Sequence, residues 1–166
     1  MQQPNPIRPT DDEARRLAQG LLHEARFAAL ATLNGSGVPT LARVAFGTDE
    51  QGRPLLLVSD IAAHTQAVLA NPACALLVGE PGDKGDPLTH PRLTLEGRAT
   101  TLDKTDTLRA RWLHDHPKSK LYIDFADFRF LRIDVDRGFL NGGFGKAYDL
   151  TPGDLGLGSP RRRTQA

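Results

Sequence analysis

Short apolar or alternating segments, separated by clusters of turn residues, follow one another along most of this 166-residue chain. Two of the connections, 34–37 (Asn-Gly-Ser-Gly) and 48–52 (Thr-Asp-Glu-Gln-Gly), are short and rich in residues that tolerate positive φ. A parallel connection needs a dozen or more residues, so these links predict antiparallel hairpins, and hairpins in series favour a barrel. The predicted strands are 27–33, 38–46, 53–58, 73–79, 93–101 and 128–135, with 139–148 as the candidate last strand.

Three segments with helical spacing interrupt the strands. Thr10, followed three positions later by Glu13, predicts a capping box at the start of the first helix. The second helix, 61–70, stops before Pro72, because the residue that precedes a proline is pushed out of helical geometry. A third helix is predicted over 103–114. The chain is therefore predicted to be mainly β with α (α+β), a six- to seven-stranded antiparallel barrel with peripheral helices.

The composition fits one folded domain, since 39% of the residues are hydrophobic and 25% are charged. Residues 1–9 contain three prolines and are predicted to form a flexible N-terminal arm. Residues 10–150 form the predicted domain. Residues 151–166 are rich in proline and glycine, end near Arg161–Arg163, and are predicted to be a disordered polar tail.

Charge and hydropathy exclude several classes of partner. The net charge is +1, from 21 Lys and Arg against 20 Asp and Glu, and only 6% of the residues are aromatic, so we expect no nucleic-acid binding. The start of the sequence has no signal-peptide pattern, and no apolar stretch of about 18 residues occurs, so we expect no membrane contact and a cytoplasmic location. The single cysteine, Cys74, lies in an apolar run and is predicted to be a small buried side chain.

The segment 59–65 (Ser-Asp-Ile-Ala-Ala-His-Thr) joins an apolar strand to a predicted helix start. The unpaired N–H groups and the positive dipole end of a helix start favour an anion, and nearby Ser, His and Thr side chains can complete its binding site. A phosphate-bearing cofactor is therefore the first functional hypothesis. The alternative is that Ser59 or Asp60 only caps its own helix.

Two further segments carry candidate binding residues. Arg92 follows a proline-stiffened loop, and its guanidinium can stabilise negative charge on a cofactor or substrate, unless it only forms an ion pair with Asp86. The segment 141–147 (Asn-Gly-Gly-Phe-Gly-Lys-Ala) is dense in glycine, which allows a tight turn or a close backbone approach. It is not a nucleotide-hydrolase phosphate loop, because Ala147 follows Lys146.

Metal binding and nucleophilic catalysis have little support. His114 and His116 are the closest pair of histidines, but they lie at a predicted helix C-terminus, where imidazoles commonly satisfy the last carbonyls. No third and fourth ligand have a recognisable spacing, so no metal site is predicted. No nucleophile elbow is present, and no catalytic residue is assigned.

Several motifs now stand in a defined order. They are Ser59 with 62–65, 85–88 (Gly-Asp-Pro-Leu), 91–95 (Pro-Arg-Leu-Thr-Leu), 116–117 (His-Pro), 127–128 (Asp-Phe) and 143–147 (Gly-Phe-Gly-Lys-Ala). Over roughly 12–149 the chain resembles the pyridoxamine 5'-phosphate oxidase-like flavoproteins, and most of all their haem-utilization branch. The resemblance implies an FMN-binding split β-barrel that forms a homodimer, with FMN in two symmetric clefts at the subunit interface.

The resemblance also implies which residues hold the cofactor. The FMN phosphate is expected against the 59–65 segment, the isoalloxazine edge along the second strand, and a guanidinium near the flavin ring. Family members often place arginine and lysine where Ala63 and His64 stand here. The implied cofactor-binding residues are Arg43, Val44, Phe46, Ser59, His64, Thr65, Arg92 and Lys146.

The leading functional hypothesis is an FMN-dependent oxidoreductase with hydride or electron transfer at the flavin N5 and an unknown small-molecule substrate. Oxidation of pyridoxamine phosphate is not expected, because the C-terminal Arg-x-His of vitamin B6 oxidases is missing after Gly143. The first alternative is a haem-binding or haem-degrading protein in which His90 or His116 contacts the iron or the propionates. The second is a flavin-binding module without turnover, and a deazaflavin in place of FMN is also considered.

Overall fold

The computed structural model describes residues 5–158, and its centre is one antiparallel β-sheet. The strand order is β3-β2-β1-β4-β5-β6-β7, and an additional pairing of β3 with β6 closes the first six strands into a barrel. This confirms the predicted six- to seven-stranded antiparallel α+β barrel. The strands are β1 (Phe27–Leu33), β2 (Pro39–Thr48), β3 (Pro54–Ser59), β4 (Ala73–Val78), β5 (Arg92–Leu102), β6 (Phe128–Asn141) and β7 (Ala147–Leu150).

The two predicted hairpins are present, and their turns are held by side chains. In the β1–β2 turn, Asn34 Oδ1 accepts hydrogen bonds from the backbone N–H groups of Ser36 and Val38, both at 2.9 Å. In the β2–β3 turn, Asp49 Oδ1 accepts from the N–H groups of Gln51 and Arg53, also at 2.9 Å. In such turns the backbone N–H groups have no partner strand, and the side-chain oxygen of Asn or Asp accepts their hydrogen bonds instead. This is why Asn and Asp are favoured at these positions.

Three α-helices surround the barrel. They are α1 (Asp12–Glu24), α2 (Ala63–Ala70) and α3 (Asp106–Asp115), and short 3₁₀ turns cover Pro87–Thr89 and Pro117–Leu121. The capping box predicted at Thr10 and Glu13 is wrong. Asp11 caps α1 instead, with its Oδ1 atom accepting from the Ala14 N–H at 2.8 Å, while the Thr10 hydroxyl donates to the Asp149 carbonyl.

The apolar side chains form two clusters because successive residues of a strand point to opposite faces. Leu56 and Val58 of β3 point into the main core, inside the barrel. Leu55 and Leu57 point the other way and pack with Trp112 of α3 in a smaller cluster. The helix α3 therefore covers the outer side of β3 and β6, and it carries the chain back towards the start of β6.

The ends of the described chain are attached to the barrel. Ile7 forms a parallel bridge with Ala147, and Leu155 and Leu157 are buried in the main core. Residues 151–158 of the predicted disordered tail therefore pack against the barrel through these leucines, whereas Arg161–Arg163 lie outside the described residues. The strand predicted over 139–148 is the end of β6, a turn and the start of β7.

Candidate functional site

The turn after β3, where a phosphate was expected, is hydrogen-bonded to the start of β6. Ser59 ends β3, and its Oγ donates to Asp127 Oδ2 at 2.6 Å. The Asp60 N–H donates to the Asp127 carbonyl at 2.7 Å. The Asp60 carboxylate accepts two hydrogen bonds from the Arg129 guanidinium, one of them from Nη2 at 2.8 Å, and this contact lowers the pKa of Asp60. The polar groups of the turn thus bind one another.

The start of α2 offers few donors to a ligand. The helix begins at Ala63 and is capped by Ala62, without a side-chain hydrogen bond, so neither Ser59 nor Asp60 is its N-cap. Thr65 is 0% exposed, and its hydroxyl has no partner among the described residues. His64 is half-buried, and its loss of hydration lowers its pKa, which leaves the imidazole neutral at neutral pH.

The charges around the turn are unfavourable for the phosphate of FMN. A phosphate dianion needs several free donors and positive charge. Here the turn carries two carboxylates, Asp60 and Asp127, and its one guanidinium, Arg129, is already paired with Asp60. Ser59 is engaged by Asp127, whereas the Thr65 hydroxyl has no partner among the described residues, and the phosphate site at Ser59, His64 and Thr65 stays a prediction.

The three predicted residues on β2 point in different directions. The Val44 and Phe46 side chains are buried in the barrel, at 5% and 0% exposure, so they cannot contact a ligand on the outer face. Arg43 points outward, and its guanidinium carbon lies 5.6 Å from the centroid of the Phe27 ring, close enough for a cation–π contact. Of this set, only the Arg43 side chain is placed to meet a ligand.

Arg43 lies in a shallow cleft of about 230 Å³ on the outer side of β1 and β2. The lining is mainly apolar, with one guanidinium and one carboxylate. Ligand sites commonly have volumes of about 300–1,000 Å³, so this cleft is open and small for a complete site. It is formed by Phe27, Ala28, Ala29, Leu41, Ala42, Arg43 and Glu80.

The surface around the cleft is unusually apolar for the outside of a barrel. In the sheet, Ala29 lies between Arg43 and Leu77, and Ala31 lies between Leu41 and Ala75. Leu41 is 77% exposed, and Leu77 is also exposed. We call the outward-facing residues of these strands the β1–β2–β4 outer face. Apolar patches of this kind commonly mark binding or association surfaces.

Arg92 and Lys146 lie at the end of the sheet next to this cleft. The Arg92 Nη1 atom donates to the Leu88 carbonyl at 3.1 Å. The expected alternative, an ion pair of Arg92 with Asp86, is wrong, because Asp86 Oδ1 accepts from the Leu88 N–H at 2.9 Å and caps the 3₁₀ turn. Arg92 pairs with Asn141 in the β5–β6 register, and Lys146 lies in the turn that follows β6.

The two histidines considered for haem already have partners. His90 Nδ1 accepts from the Gly82 N–H at 3.0 Å, and its Nε2 donates to the Lys84 carbonyl at 2.7 Å. His116 stacks on Trp112 with ring centroids 4.2 Å apart, and its Nε2 lies 2.8 Å from the Phe46 carbonyl oxygen. Burial lowers the pKa of His116. The His90 imidazole therefore stabilises the loop before β5, and the His116 imidazole joins α3 to β2, so the Nε2 atoms of both rings are already engaged.

Three other findings concern the chemistry of the described chain. Within residues 5–158, no group of three or more His, Cys, Asp or Glu side chains comes together as a metal site. Burial raises the pKa of the Cys74 thiol to about 11, so this thiol stays protonated at neutral pH. None of the helices in the described part of the chain is long and apolar enough to span a membrane.

Comparison with known proteins identifies the family. The model of the CREG β-barrel family matches residues 9–154. The chain belongs to the CREG β-barrel family. This member is 41% identical over 101 residues to the chloroplastic haem oxygenase HOZ of Arabidopsis thaliana, a match that covers 59% of this chain and 30% of that protein. It is 25% identical over 132 residues to the haem oxygenase HutZ of Vibrio cholerae, covering 76% of this chain and 74% of the relative.

Solved structures support the same grouping. A haem-binding protein from Mycobacterium smegmatis is 29% identical with a TM-score of 0.79, covering 90% of this chain and 61% of that protein. ChuZ of Campylobacter jejuni, at 18% identity and a TM-score of 0.76, shares the fold and covers 97% of this chain and 68% of its own. The resemblance to the pyridoxamine 5'-phosphate oxidase-like split barrel and its haem-utilization branch is confirmed. The chain spans less than a third of the length of HOZ.

Proposed function

We propose that this chain binds haem in the cleft beside Arg43 and takes part in its oxidative breakdown. Two relatives are named haem oxygenases and a third is named a haem-binding protein. The observation that carries the proposal is a contrast between two places: Asp127 binds the Ser59 hydroxyl where the FMN phosphate was expected, while the cleft beside Arg43 is largely apolar and open. The function is therefore assigned to the outer face and not to the turn after β3.

The cleft has the chemistry that a haem requires. A porphyrin is a flat apolar ring with two carboxylates on one edge, and Ala29, Ala31 and Ala75 give the outer face a low profile on which such a ring can lie. Phe27 supplies an aromatic edge, and Arg43 supplies a positive charge. Burial of apolar ring surface stabilises the complex by about 25 cal/mol per Å² of area removed from water.

A second copy of the chain is proposed to complete the site. The cleft of about 230 Å³ is smaller than common ligand sites. The neighbouring Leu41 is 77% exposed, and an apolar side chain of this size is better stabilised when it is covered. Packing of two β1–β2–β4 outer faces in a homodimer covers these side chains and encloses the ligand between the protomers.

The cleft lining contains no His, Cys, Met or Tyr, which are the common protein ligands of haem iron. When bound, haem supplies the redox-active iron. The lining residues are therefore proposed to hold the porphyrin ring, and none of them is assigned as an iron ligand.

Flavin binding is the competing hypothesis. It includes FMN or a deazaflavin as the cofactor of an oxidoreductase, and a flavin-binding module without turnover. A flavin whose phosphate binds the Ser59 hydroxyl has to displace the Ser59–Asp127 hydrogen bond of 2.6 Å, which costs stability. The cytoplasm stays the predicted compartment.

The test is a titration of the purified protein with haem, followed by absorbance. We expect a saturable Soret shift, with about one haem per chain. Leu41→Asp places a charge on the outer face and is expected to weaken haem binding and to halve the mass measured by light scattering. Ile61→Asp is the matched control, because Ile61 is also highly exposed but lies on the turn after β3. A linear, non-saturating response to haem contradicts the proposal.

A further inference from the structure

Three separate segments meet at the edge of the cleft. They are the N-terminal segment at Arg8, the loop that precedes β5, and the β6–β7 turn. The Arg8 N–H donates to the Ala147 carbonyl at 2.8 Å, and a Cβ placed on Gly145 would lie 3.6 Å from Arg8 Nη2. A Cβ on Gly143 would lie 3.1 Å from the Thr89 carbonyl oxygen. These contacts bring the three segments together at one end of the sheet.

A cation lies in or directly beside each segment, namely Arg8, Arg92 at the start of β5, and Lys146, and none of the three has an acidic partner among residues 5–158. Among the described residues, no carboxylate lies within salt-bridge distance of Arg8, Arg92 or Lys146, in contrast to arginines such as Arg15 and Arg129. Arg92 is held in place by the Leu88 carbonyl, which accepts from its Nη1. Cations without acidic partners on neighbouring segments favour the binding of an anion.

The same segments expose two large apolar side chains. Leu88 is 62% exposed, and Phe144 is 79% exposed at the tip of the β6–β7 turn. Gly143 and Gly145 have φ values of 122° and 67°, which only glycine adopts without strain, so the turn is shaped to present Phe144. We call the five residues Arg8, Leu88, Arg92, Phe144 and Lys146 the cation rim.

The cation rim is continuous with the cleft. Glu80 lines the cleft, and its neighbour Gly79 abuts β5, where a Cβ on Gly79 would lie 2.9 Å from the Cα of Arg92. A ligand that lies on the apolar outer face can therefore reach the cations with one edge. The cleft lining is apolar except for Arg43 and Glu80, and Arg92 lies beyond Glu80, so an apolar ring on the outer face can direct carboxylates on one edge towards the cations.

We propose that the cation rim binds the two propionate carboxylates of haem, with Arg92 and Lys146 as the main charge partners and Phe144 packed against the ring edge. This inference rests on the proposed haem function and adds the direction in which the ring is inserted. A linear tetrapyrrole keeps both propionates, so the same residues also hold the product of ring opening.

The experiment compares haem with haem dimethyl ester, in which both carboxylates are masked, on the full chain. The variants are Lys146→Gln, Arg92→Gln with Lys146→Gln, and Phe144→Ser. The control is Lys118→Gln with Lys120→Gln, which removes two exposed cations from the 3₁₀ turn at 117–121. Thermal unfolding verifies that each variant is folded. If the double variant with Arg92→Gln does not fold, the single variant Lys146→Gln tests the inference by itself.

Loss of one charge-assisted contact is expected to weaken haem binding about 5- to 10-fold, and the double variant about 50-fold. The dimethyl ester should bind the wild type and all cation variants equally, and more weakly than haem. Equal haem affinity in the wild type and the double variant overturns the inference and leaves haem binding intact. If the wild type binds neither haem nor its ester, the proposed function fails, and the inference fails with it.

Discussion

The turn after β3 and the cation rim are both polar, yet they differ in what their polar groups contact. In the turn, the Ser59 hydroxyl is bound by Asp127, and the Asp60 carboxylate is bound by Arg129. In the rim, Arg92 and Lys146 have no acidic partner among the described residues. The comparison shows that a hydroxyl or carboxylate beside a helix start can be taken up by a partner distant in sequence, which leaves it less available to a ligand.

The largest change in stability is expected for a core residue of β2, and not for the neighbouring residue that is proposed to bind haem. Phe46→Ala should lower the free energy of unfolding by about 3–5 kcal/mol, because it leaves a cavity in the barrel core. Arg43→Ala should change it by less than about 0.5 kcal/mol and weaken haem binding instead. Urea denaturation and haem titration of both variants measure the two effects. The opposite result would be a Phe46→Leu variant that loses haem binding without any change in stability. That result would show that Phe46 contacts the haem.

The next effect is a gain of flavin binding in the turn. Asp127→Asn with Ala63→Arg removes a carboxylate from Ser59 and adds a free guanidinium at the start of α2. We expect FMN to bind this variant at least about 10-fold more tightly than the wild type, which corresponds to about 1.4 kcal/mol. Flavin fluorescence quenching measures the affinity. Ala63→Arg alone is the control and should gain less, because Asp127 still repels the phosphate.

A smaller effect is expected at the buried threonines. The Thr65 hydroxyl is buried without a partner, whereas the buried Thr32 hydroxyl pairs with Thr40 at 2.9 Å. Thr65→Val should therefore be neutral or stabilise the fold by up to about 1 kcal/mol, and Thr32→Val should destabilise it by about 1 kcal/mol. Chemical denaturation measures both. If Thr65→Val lowers the affinity for FMN without changing stability, the Thr65 hydroxyl does belong to the phosphate site.

The smallest effect is a dependence of stability on pH. Burial lowers the pKa of His116, so the unfolded chain takes up a proton at a higher pH than the folded chain. The contribution to stability is complete above the ordinary imidazole pKa of 6.5 and is lost as the pH falls through the folded-state pKa. His116→Gln should reduce the slope of unfolding free energy between pH 7 and 5 by a few tenths of a kcal/mol per pH unit, after screening by solvent.

His64 contributes to stability with the same sign, because burial also lowers its pKa. The exposed His114 is the control for both. If His114→Gln changes the slope as much as His116→Gln does, burial is not the cause.

Much of the fold follows from local sequence patterns. The turns after β1 and β2 are specified by residues within four positions of each other, such as Asn34 with Val38 and Asp49 with Arg53. The position of α2 follows from Pro72. The pairing of β3 with β6, which closes the barrel, joins residues that are distant in sequence. It is nevertheless an expected outcome, because closure removes the unpaired edges that an open sheet would expose.

The site was less predictable because its decisive contacts are distant in sequence. Ser59 and Asp127 are 68 residues apart, and nothing near Ser59 indicates that its hydroxyl has a partner. The outer face is indicated by the sequence of β1, Phe-Ala-Ala-Leu-Ala-Thr-Leu, which places apolar residues on both faces of the strand. A strand that is apolar on both sides is typically covered on both sides.

We propose that this barrel selects haem over FMN. The most direct measurement incubates the wild-type protein with equal concentrations of haem and FMN, removes unbound ligand by desalting, and records the absorbance spectrum and the mass of what denaturation releases. We expect a Soret band and the mass of haem, with no flavin. A flavin spectrum and the mass of FMN, without haem, would contradict it.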